Sequence, residues 1–231
     1  MGGNPGTGAA SGGTEKVGAP SEVFWIGGST FSGKSTVSGI LARRHGLEVL
    51  SCDDELPRHM GEAVLSDQPT LHLFSRMTDL PLLLLPTDLL AESLRAMARE
   101  QLEVILGELA DRDTSSPLLV EGAAVLPECL VPRLSEEHRA VWLVASESFL
   151  LTRYRSARES LVAGTLAGYE DPERAFRGWM DRDLAFSAMV RRQLDELDLL
   201  SLEVDGTRPP EDIADEVARR FRLERGGETV V

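Results

Sequence analysis

The sequence predicts an α/β protein built on a five-stranded parallel sheet with helices on both faces. Five short apolar runs have the length and composition of buried strands, and a stretch with a helical pattern separates each run from the next. Strands that alternate with helices form parallel sheets with right-handed crossovers. The five predicted strands span residues 23–26, 47–52, 118–122, 140–145 and 199–204.

The helices are indicated by apolar residues at helical spacing and by their end signals. The helix after the first strand is predicted to end at Gly46, because glycine is the usual residue just past a helix end. A long helix over residues 87–111 leads to the third strand. A further helix begins after Asp171, which is followed by proline, and the last opens at the two prolines 209–210.

The chain is predicted to form one domain over residues 22–231. Residues 1–21 are rich in glycine and have almost nothing to bury, so they are expected to be a disordered tail. No apolar stretch is long enough to cross a membrane, and no signal peptide follows the start. Cys52 and Cys129 lack metal-ligand spacing and are typical of a reducing compartment. A cytoplasmic protein without a membrane partner is therefore expected, as a monomer or a homodimer.

The charge balance argues against one class of partner. The chain carries 38 acidic and 24 basic residues, and its net charge is −14. Proteins that grip a nucleic-acid backbone need an excess of positive charge at the contact. A small-molecule substrate is expected instead of a nucleic acid.

The strongest single motif is the glycine-framed loop after the first strand. Residues 28–35, GSTFSGKS, have two glycines five positions apart followed by lysine and serine, between a predicted strand and a predicted helix. In such a loop, backbone amides and the helix N-terminus bind a di- or triphosphate, Gly28 and Gly33 supply positive-φ backbone, Lys34 contacts phosphate oxygens and Ser35 binds Mg²⁺. The alternative is a Gly/Ser turn that happens to precede a lysine. The residues predicted to bind the nucleotide are Gly28, Ser29, Phe31, Ser32, Gly33, Lys34, Ser35 and Thr36.

Three shorter motifs accompany this loop: SCDDE at 51–55, VEGAAVLP at 120–127 and WMDRD at 179–183. With them, the chain from Val23 onward resembles the nucleoside and nucleotide kinase branch of P-loop proteins, and more narrowly the cytidylate-kinase-like ATP-binding proteins of bacteria. It is similar, more loosely, to kinases that phosphorylate small metabolites or antibiotics. The resemblance implies a three-layer P-loop kinase fold with strand order 2-3-1-4-5, a helical lid over about residues 152–185, and the use of ATP and Mg²⁺.

Two adjacent acids follow the second strand and are candidates for the catalytic base. A carboxylate near the acceptor hydroxyl can orient it and take its proton during phosphoryl transfer. The resemblance favours Asp53 for this role, with Asp54 a close second. The alternative is that one or both acids cap the next helix, since aspartate is a preferred N-cap residue.

Glu121 ends the apolar third strand, where a charge is expensive without a partner. The resemblance implies that this carboxylate belongs to the outer shell of a Mg²⁺ ion that Ser35 also binds. A structural salt bridge is the competing interpretation.

Several arginines fall in the predicted lid, where related kinases close guanidinium groups over the phosphates. Guanidinium groups match phosphate oxygens and stabilise the charge that develops during transfer. Arg153 and Arg158 are predicted to be catalytic in this way, and Arg182 is predicted to reach the substrate. An exposed position with an acidic partner is the alternative for each of them.

The acceptor is expected to bind within residues 56–86, because this segment occupies the acceptor-binding place in such kinases. Its candidate substrate-binding residues are Arg58, His59 and Arg76. Basic and apolar residues together would suit a partly hydrophobic substrate with a polar or anionic group, although a leucine run is more often core.

The leading functional hypothesis is an ATP-dependent kinase that transfers the γ-phosphoryl group to a hydroxyl or phosphate of a small molecule. A regulatory GTPase is largely excluded, because Asn4 is the only asparagine and the Asn-Lys-x-Asp guanine motif cannot form. An antibiotic-modifying or biosynthetic phosphotransferase is the alternative within the same class. An ATP-hydrolysing regulatory or partner protein, with Glu121 activating water, is the alternative from another class.

Overall fold

The structure is a computed structural model that describes residues 23–77, 82–112, 116–135 and 139–223. The predicted tail, residues 1–21, lies outside the described residues. Five strands form one sheet: β1 (Val23–Gly28), β2 (Glu48–Ser51), β3 (Leu118–Glu121), β4 (Ala140–Ala145) and β5 (Ser201–Val204). They are all parallel and have the order β2-β3-β1-β4-β5, which confirms the predicted fold class and strand order.

Eight α-helices connect and cover the strands in the described part of the chain. Two short 3₁₀ turns, Leu82–Leu84 and Val131–Arg133, accompany them. The helices are α1 (Lys34–His45), α2 (Cys52–Glu62), α3 (Pro69–Phe74), α4 (Thr87–Ala110), α5 (Pro127–Leu130), α6 (Glu147–Ala163), α7 (Pro172–Glu196) and α8 (Pro210–Arg220).

The predicted element ends agree with the structure to within two residues. Gly46 ends α1 with φ 65°, as its position in the sequence predicts. The fifth strand begins two residues later than predicted, because the Leu199 amide still bonds to the Leu194 carbonyl oxygen (2.9 Å) in the turn after α7. Leu200 is 75% exposed and belongs to this turn.

The core has two layers, one on each face of the sheet. Alternate residues of β1 point in opposite directions: Trp25 packs with apolar residues of α4 and α7, and Ile26 packs with those of α1 and α8. Both side chains are fully buried. The result is a three-layer α/β/α arrangement in which the carboxyl ends of the strands remain open for a ligand.

The region predicted as a lid, residues 152–185, comprises most of α6, the connection 164–171 and the first half of α7. These two helices pack on each other and enclose a third apolar cluster around Tyr154 and Phe176. None of the described helices is long and apolar enough to cross a membrane.

Candidate active site

The loop between β1 and α1 has the backbone conformation that the sequence predicts. Gly28 has φ 130° and Gly33 has φ 80°, and Phe31 also adopts a left-handed conformation at φ 56°. A Cβ atom on Gly28 would lie 1.8 Å from the carbonyl oxygen of Leu143 in the neighbouring strand. Only glycine fits there, whereas Gly33 has open space around its Cα atom.

Buried hydrogen bonds hold this loop against strand β4. The Ser29 amide donates to the Leu143 carbonyl oxygen (3.1 Å), and the Ser29 hydroxyl accepts from the Ala145 amide (2.9 Å). The Ser29 carbonyl oxygen in turn accepts from the Ser32 hydroxyl (2.8 Å) and from Lys34 Nζ (2.7 Å). Ser29 therefore fixes the loop through both its main chain and its side chain.

The N-terminus of α1 opens directly onto the loop. The first hydrogen bond at this end runs from the Val37 amide to the Gly33 carbonyl oxygen (2.9 Å), so the amides of Lys34, Ser35 and Thr36 precede it. Free amides and the positive end of the helix dipole together favour an anion.

Lys34 is a buried cation at this anion site. Only 7% of the residue is exposed, and burial lowers the pKa of its ammonium group. The charges of Asp53 and Glu121 oppose this effect. Among the described residues, this ammonium group donates only to a carbonyl oxygen, so it is well placed to bind the oxygens of a phosphate.

The structure distinguishes the two candidate bases after β2. Ser51 is the N-cap residue of α2, and its hydroxyl accepts from the Asp54 amide (3.3 Å). The capping interpretation of the acidic pair is therefore wrong, because a serine has that role. Asp53 lines the cavity beside the phosphate loop, whereas Asp54 is not part of its wall.

Glu121 sits at the end of β3 between two other strands. It is paired in register with Ile26 of β1 and Ser51 of β2, and only 1% of the residue is exposed. Burial raises its pKa, although hydrogen bonds from the hydroxyls of Ser35 and Ser51 act in the opposite direction. Its Oε2 atom has no hydrogen-bond partner, and no ion pair involves it among the described residues. The salt-bridge interpretation is thus not supported.

These observations allow a test of whether the site fits Mg²⁺. The ion prefers oxygen ligands, and it is usually held by one or two protein groups together with substrate phosphates. Ser35 and Glu121 supply a hydroxyl and an unpartnered carboxylate oxygen next to the anion site. The described residues contain no cluster of three or more His, Cys, Asp or Glu side chains that would hold a metal alone. The donor set therefore fits an ion that arrives with phosphates.

A cavity of about 820 Å³ lies at the phosphate loop and includes Lys34 and Ser35 in its wall, whereas Glu121 is not among the described residues that line it. The phosphate loop, Asp53 and Arg153 contribute to its wall, together with Arg182 and Asp183 of α7. At the β5 edge of the sheet the wall is formed by Gly206 and Arg208, which no motif in the sequence marked, together with Val204 at the end of β5 and Pro210 and Ile213 of α8.

Only one of the two lid arginines predicted to be catalytic lies at the cavity. Arg153 lines it and has its guanidinium group 5.6 Å from the centre of the Phe31 ring. Arg158 is half exposed, pairs with Glu173 (2.6 Å) and is not part of the cavity wall. Arg158 therefore has the exposed position and the acidic partner that were the alternative to a catalytic role.

Arg182 is held in the cavity by a buried polar group. Its Nε donates to Asp183 Oδ1 (2.8 Å), and Tyr154 on α6 donates to Asp183 Oδ2 (2.5 Å). Asp183 is completely buried, and Tyr154 is 1% exposed. Asp183 was not identified from the sequence as a buried residue, and its contact with Tyr154 was missed. The sequence contains one signal of this burial: Asp183 lies on the apolar stripe of α7, three residues before Phe186.

Three predicted substrate-binding residues are not at the cavity. Arg58 is engaged by Glu55 (2.7 Å), Glu62 (3.1 Å) and Glu108 (2.8 Å). His59 is 1% exposed and lies within hydrogen-bond distance of Gln101 (3.3 Å). Arg76 is exposed just after α3 and lines neither this cavity nor the apolar one beside it. The structure therefore assigns Arg58 and His59 to the contact between α2 and α4.

The adjacent apolar cavity has a volume of about 290 Å³. Its wall combines one face of α4 with the 3₁₀ turn, the connection after α6 and the first half of α7. Four residues line both cavities and so join them: Leu94, Met97, Trp179 and Arg182.

In comparisons with known proteins, the chain shows similarity only to solved structures. No protein-family model matches the chain, and no curated protein matches it. The shikimate kinase of Acinetobacter baumannii, solved with shikimate, is 17% identical, with 85% of this chain and 90% of that chain covered and a TM-score of 0.42. The shikimate kinase of Aquifex aeolicus is 15% identical, with 87% and 96% covered and a TM-score of 0.44.

Proposed function

We propose that the protein is a P-loop kinase that transfers the γ-phosphoryl group of ATP to a hydroxyl group of a small molecule. The observation that carries this proposal is that an anion site and a candidate base line one cavity. Lys34 and the free amides of α1 form the anion site, and Asp53 lines the same cavity. Ser35, which also lines it, is hydrogen-bonded to Glu121, whose Oε2 atom has no partner. A phosphate site, a metal-binding pair and a base are the parts that phosphoryl transfer requires.

In the proposed reaction, the acceptor oxygen forms a bond to the γ-phosphorus while the bond from that phosphorus to the bridging oxygen of ADP breaks. Asp53 takes the proton of the acceptor hydroxyl. Lys34 and Arg153 stabilise the negative charge on the phosphoryl oxygens. Mg²⁺, when bound by Ser35 and through the Glu121 carboxylate, would neutralise phosphate charge.

The segment after β5 is the proposed site for the adenine ring. It lines the end of the cavity away from Asp53, and its Gly206 has φ 85° and lies against the Phe149 ring. A Cβ atom there would lie 2.6 Å from the ring. Gly206 and Arg208 line this part of the cavity, and a guanidinium group can stack on a planar base.

Calorimetry with Mg²⁺ and ATP tests the binding step. Wild-type protein should bind ATP, Lys34→Ala should lose most of this affinity, and Asp53→Asn should retain it. Transfer of labelled phosphate to a panel of alcohols tests the chemistry. Asp53→Asn should lower the rate about 10²- to 10⁴-fold, which is the usual contribution of a general base. Asp54→Asn is the matched control and should keep the wild-type rate, and the opposite result for the two variants would refute the assignment.

An ATP-hydrolysing partner protein remains the second candidate, because Glu121 is a buried carboxylate near the phosphate site. The two functions differ in their dependence on an acceptor. Release of inorganic phosphate that is equally fast with and without any alcohol would favour hydrolysis. Phosphate transfer that appears only with an acceptor would favour the kinase.

A further inference from the structure

The apolar cavity beside the phosphate site has the position of an acceptor-binding site. It shares Leu94, Met97, Trp179 and Arg182 with the larger cavity, whose wall also contains Asp53. A molecule that filled the apolar cavity would therefore extend past these shared residues toward the base and the phosphate loop.

The wall of this cavity is almost entirely apolar. Leu90, Leu94 and Met97 present one face of α4, since they are spaced by four and three residues. Leu166 (1% exposed) and Leu83 (8% exposed) close the cavity from the opposite sides. Helix α7 lies directly against Leu83, because a Cβ atom on Gly178 would be 1.8 Å from the Leu83 carbonyl oxygen.

Among the described residues that line this cavity, the one charged side chain already has a counter-ion. Arg182 pairs with Asp183 (2.7 Å), and its guanidinium group also lies 5.5 Å from the centre of the Trp179 ring. Phosphorylated and polycarboxylate ligands are commonly bound by free guanidinium groups in bidentate geometry. Arg58 is engaged by three glutamates elsewhere, and Arg76 is not among the described residues of this wall. A strongly anionic group would thus be buried here without compensation.

We propose that the acceptor is an alcohol with an uncharged aromatic or branched aliphatic body, and that this body binds in the apolar cavity. This inference rests on the proposed function and deepens it by naming the substrate class. The volume of about 290 Å³ exceeds the about 150 Å³ apolar cavity that suffices to bind a benzene ring. The guanidinium group of Arg182 can donate a hydrogen bond to a neutral polar substituent of the acceptor. The reacting hydroxyl group then lies toward Asp53.

The position of Thr165 allows a sharp test. Its side chain lines the apolar cavity, yet the residue is exposed, so a larger side chain can enter the cavity without disturbing the core. Thr165→Trp is the blocking variant. Ala167→Trp is the matched control, because Ala167 is exposed on the same connection and lies outside both cavity walls. Circular dichroism establishes that both variants are folded.

The probe is 3-phenylpropan-1-ol, compared with cytidine monophosphate, in calorimetric titrations of the full chain. Wild-type protein and Ala167→Trp should bind the alcohol with equal affinity, and Thr165→Trp should bind it at least about tenfold more weakly. Cytidine monophosphate should bind more weakly than the alcohol to the wild type. Tighter binding of the nucleotide, or equal alcohol affinity of the two tryptophan variants, would overturn the inference.

Fluorescence provides a second measurement of the same site. Trp25 and Trp142 are buried in the core, while Trp179 lines the apolar cavity. The alcohol should change the tryptophan emission of the wild type, and Trp179→Phe should abolish that change. An unchanged response in Trp179→Phe would contradict binding at this cavity.

Binding of ATP is measured in separate titrations, so the two proposals can fail independently. ATP binding with no alcohol binding would overturn the substrate class and leave the nucleotide site intact. Alcohol binding without ATP binding would support the apolar site and refute the kinase.

Discussion

Replacing Tyr154 by phenylalanine removes a single hydroxyl group from the interior of the protein. That hydroxyl donates to the fully buried Asp183 (2.5 Å), and burial together with the charge of Asp183 raises the pKa of the phenol, so it remains protonated. The aromatic ring keeps its edge contacts with Phe31 (5.1 Å between ring centres) and Phe176 (5.9 Å). The substitution therefore tests one hydrogen bond without creating a cavity.

The expected loss of stability follows from the type of bond. A hydrogen bond to an ionised group contributes about 1.5–3 kcal/mol, and Asp183 keeps only Arg182 as a partner after the change. The free energy of unfolding should fall by about 1.5–3 kcal/mol. For a domain of this size, each kcal/mol lowers Tm by about 2–4 °C, so Tm should fall by roughly 3–12 °C.

Urea unfolding followed by circular dichroism measures this change, provided that the free energy of unfolding depends on urea concentration with the same slope in both proteins. Tyr169→Phe is the control, because the Tyr169 hydroxyl has no hydrogen-bond partner among the described residues. The free energy of unfolding of this variant should differ from that of the wild type by less than about 0.5 kcal/mol. Equal stabilities of Tyr154→Phe and the wild type would refute the reasoning. In transfer assays, Tyr154→Phe should raise the KM for the acceptor and leave ATP binding unchanged, because Asp183 positions Arg182.

Three further predictions concern the phosphate site. The pKa of Glu121 is raised in the folded protein above its ordinary value of 4.5. Its contribution to the free energy of unfolding is therefore present at low pH and is lost as pH rises through the folded-state pKa. Glu121→Gln should therefore be more stable than wild type at neutral pH without Mg²⁺, and should bind Mg²⁺ with ATP about 10- to 100-fold more weakly by calorimetry. Gly28→Ala should lose ATP binding, and its free energy of unfolding in urea should fall by more than about 1–3 kcal/mol, because its Cβ atom would lie 1.8 Å from a carbonyl oxygen. Gly107→Ala is the control: Gly107 has open space around it in α4, so its free energy of unfolding should rise by up to about 1 kcal/mol. Arg153→Ala should lower kcat about 10²- to 10³-fold, whereas Arg158→Ala, which removes an exposed ion pair, should stay within about twofold.

The local features of the fold could be predicted from the sequence because their signals are local. The fourth strand is found at the predicted residues 140–145, and the helix after the phosphate loop ends at Gly46 with the expected left-handed conformation. The positive φ of Gly28 follows from a motif in which the chain must turn sharply beside a neighbouring strand. The strand order came from the resemblance to P-loop kinases, since short apolar runs do not themselves specify which strands pair.

The roles of charged residues depend on partners far along the chain, and here the sequence was less informative. Arg58 and His59 seemed available to a substrate because Glu108, which contacts both, lies about fifty residues later on α4. Asp53 and Asp54 are neighbours in sequence, yet they face different sides of the first turn of α2, so only one reaches the cavity. The burial of Asp183 was not predicted, because its tyrosine partner comes from another helix.

The bonds that tie Ser29 to strand β4 have a consequence for the thermodynamics of nucleotide binding. Hydrogen bonds within the chain hold the turn of the loop and its lysine contact, so little backbone freedom is left to lose when phosphates bind. Binding should then proceed with a small conformational-entropy penalty and a fast association rate. Ser29→Ala would leave the Ala145 amide without this acceptor and loosen the loop, so the preorganisation of this site depends in part on one hydroxyl group that faces strand β4.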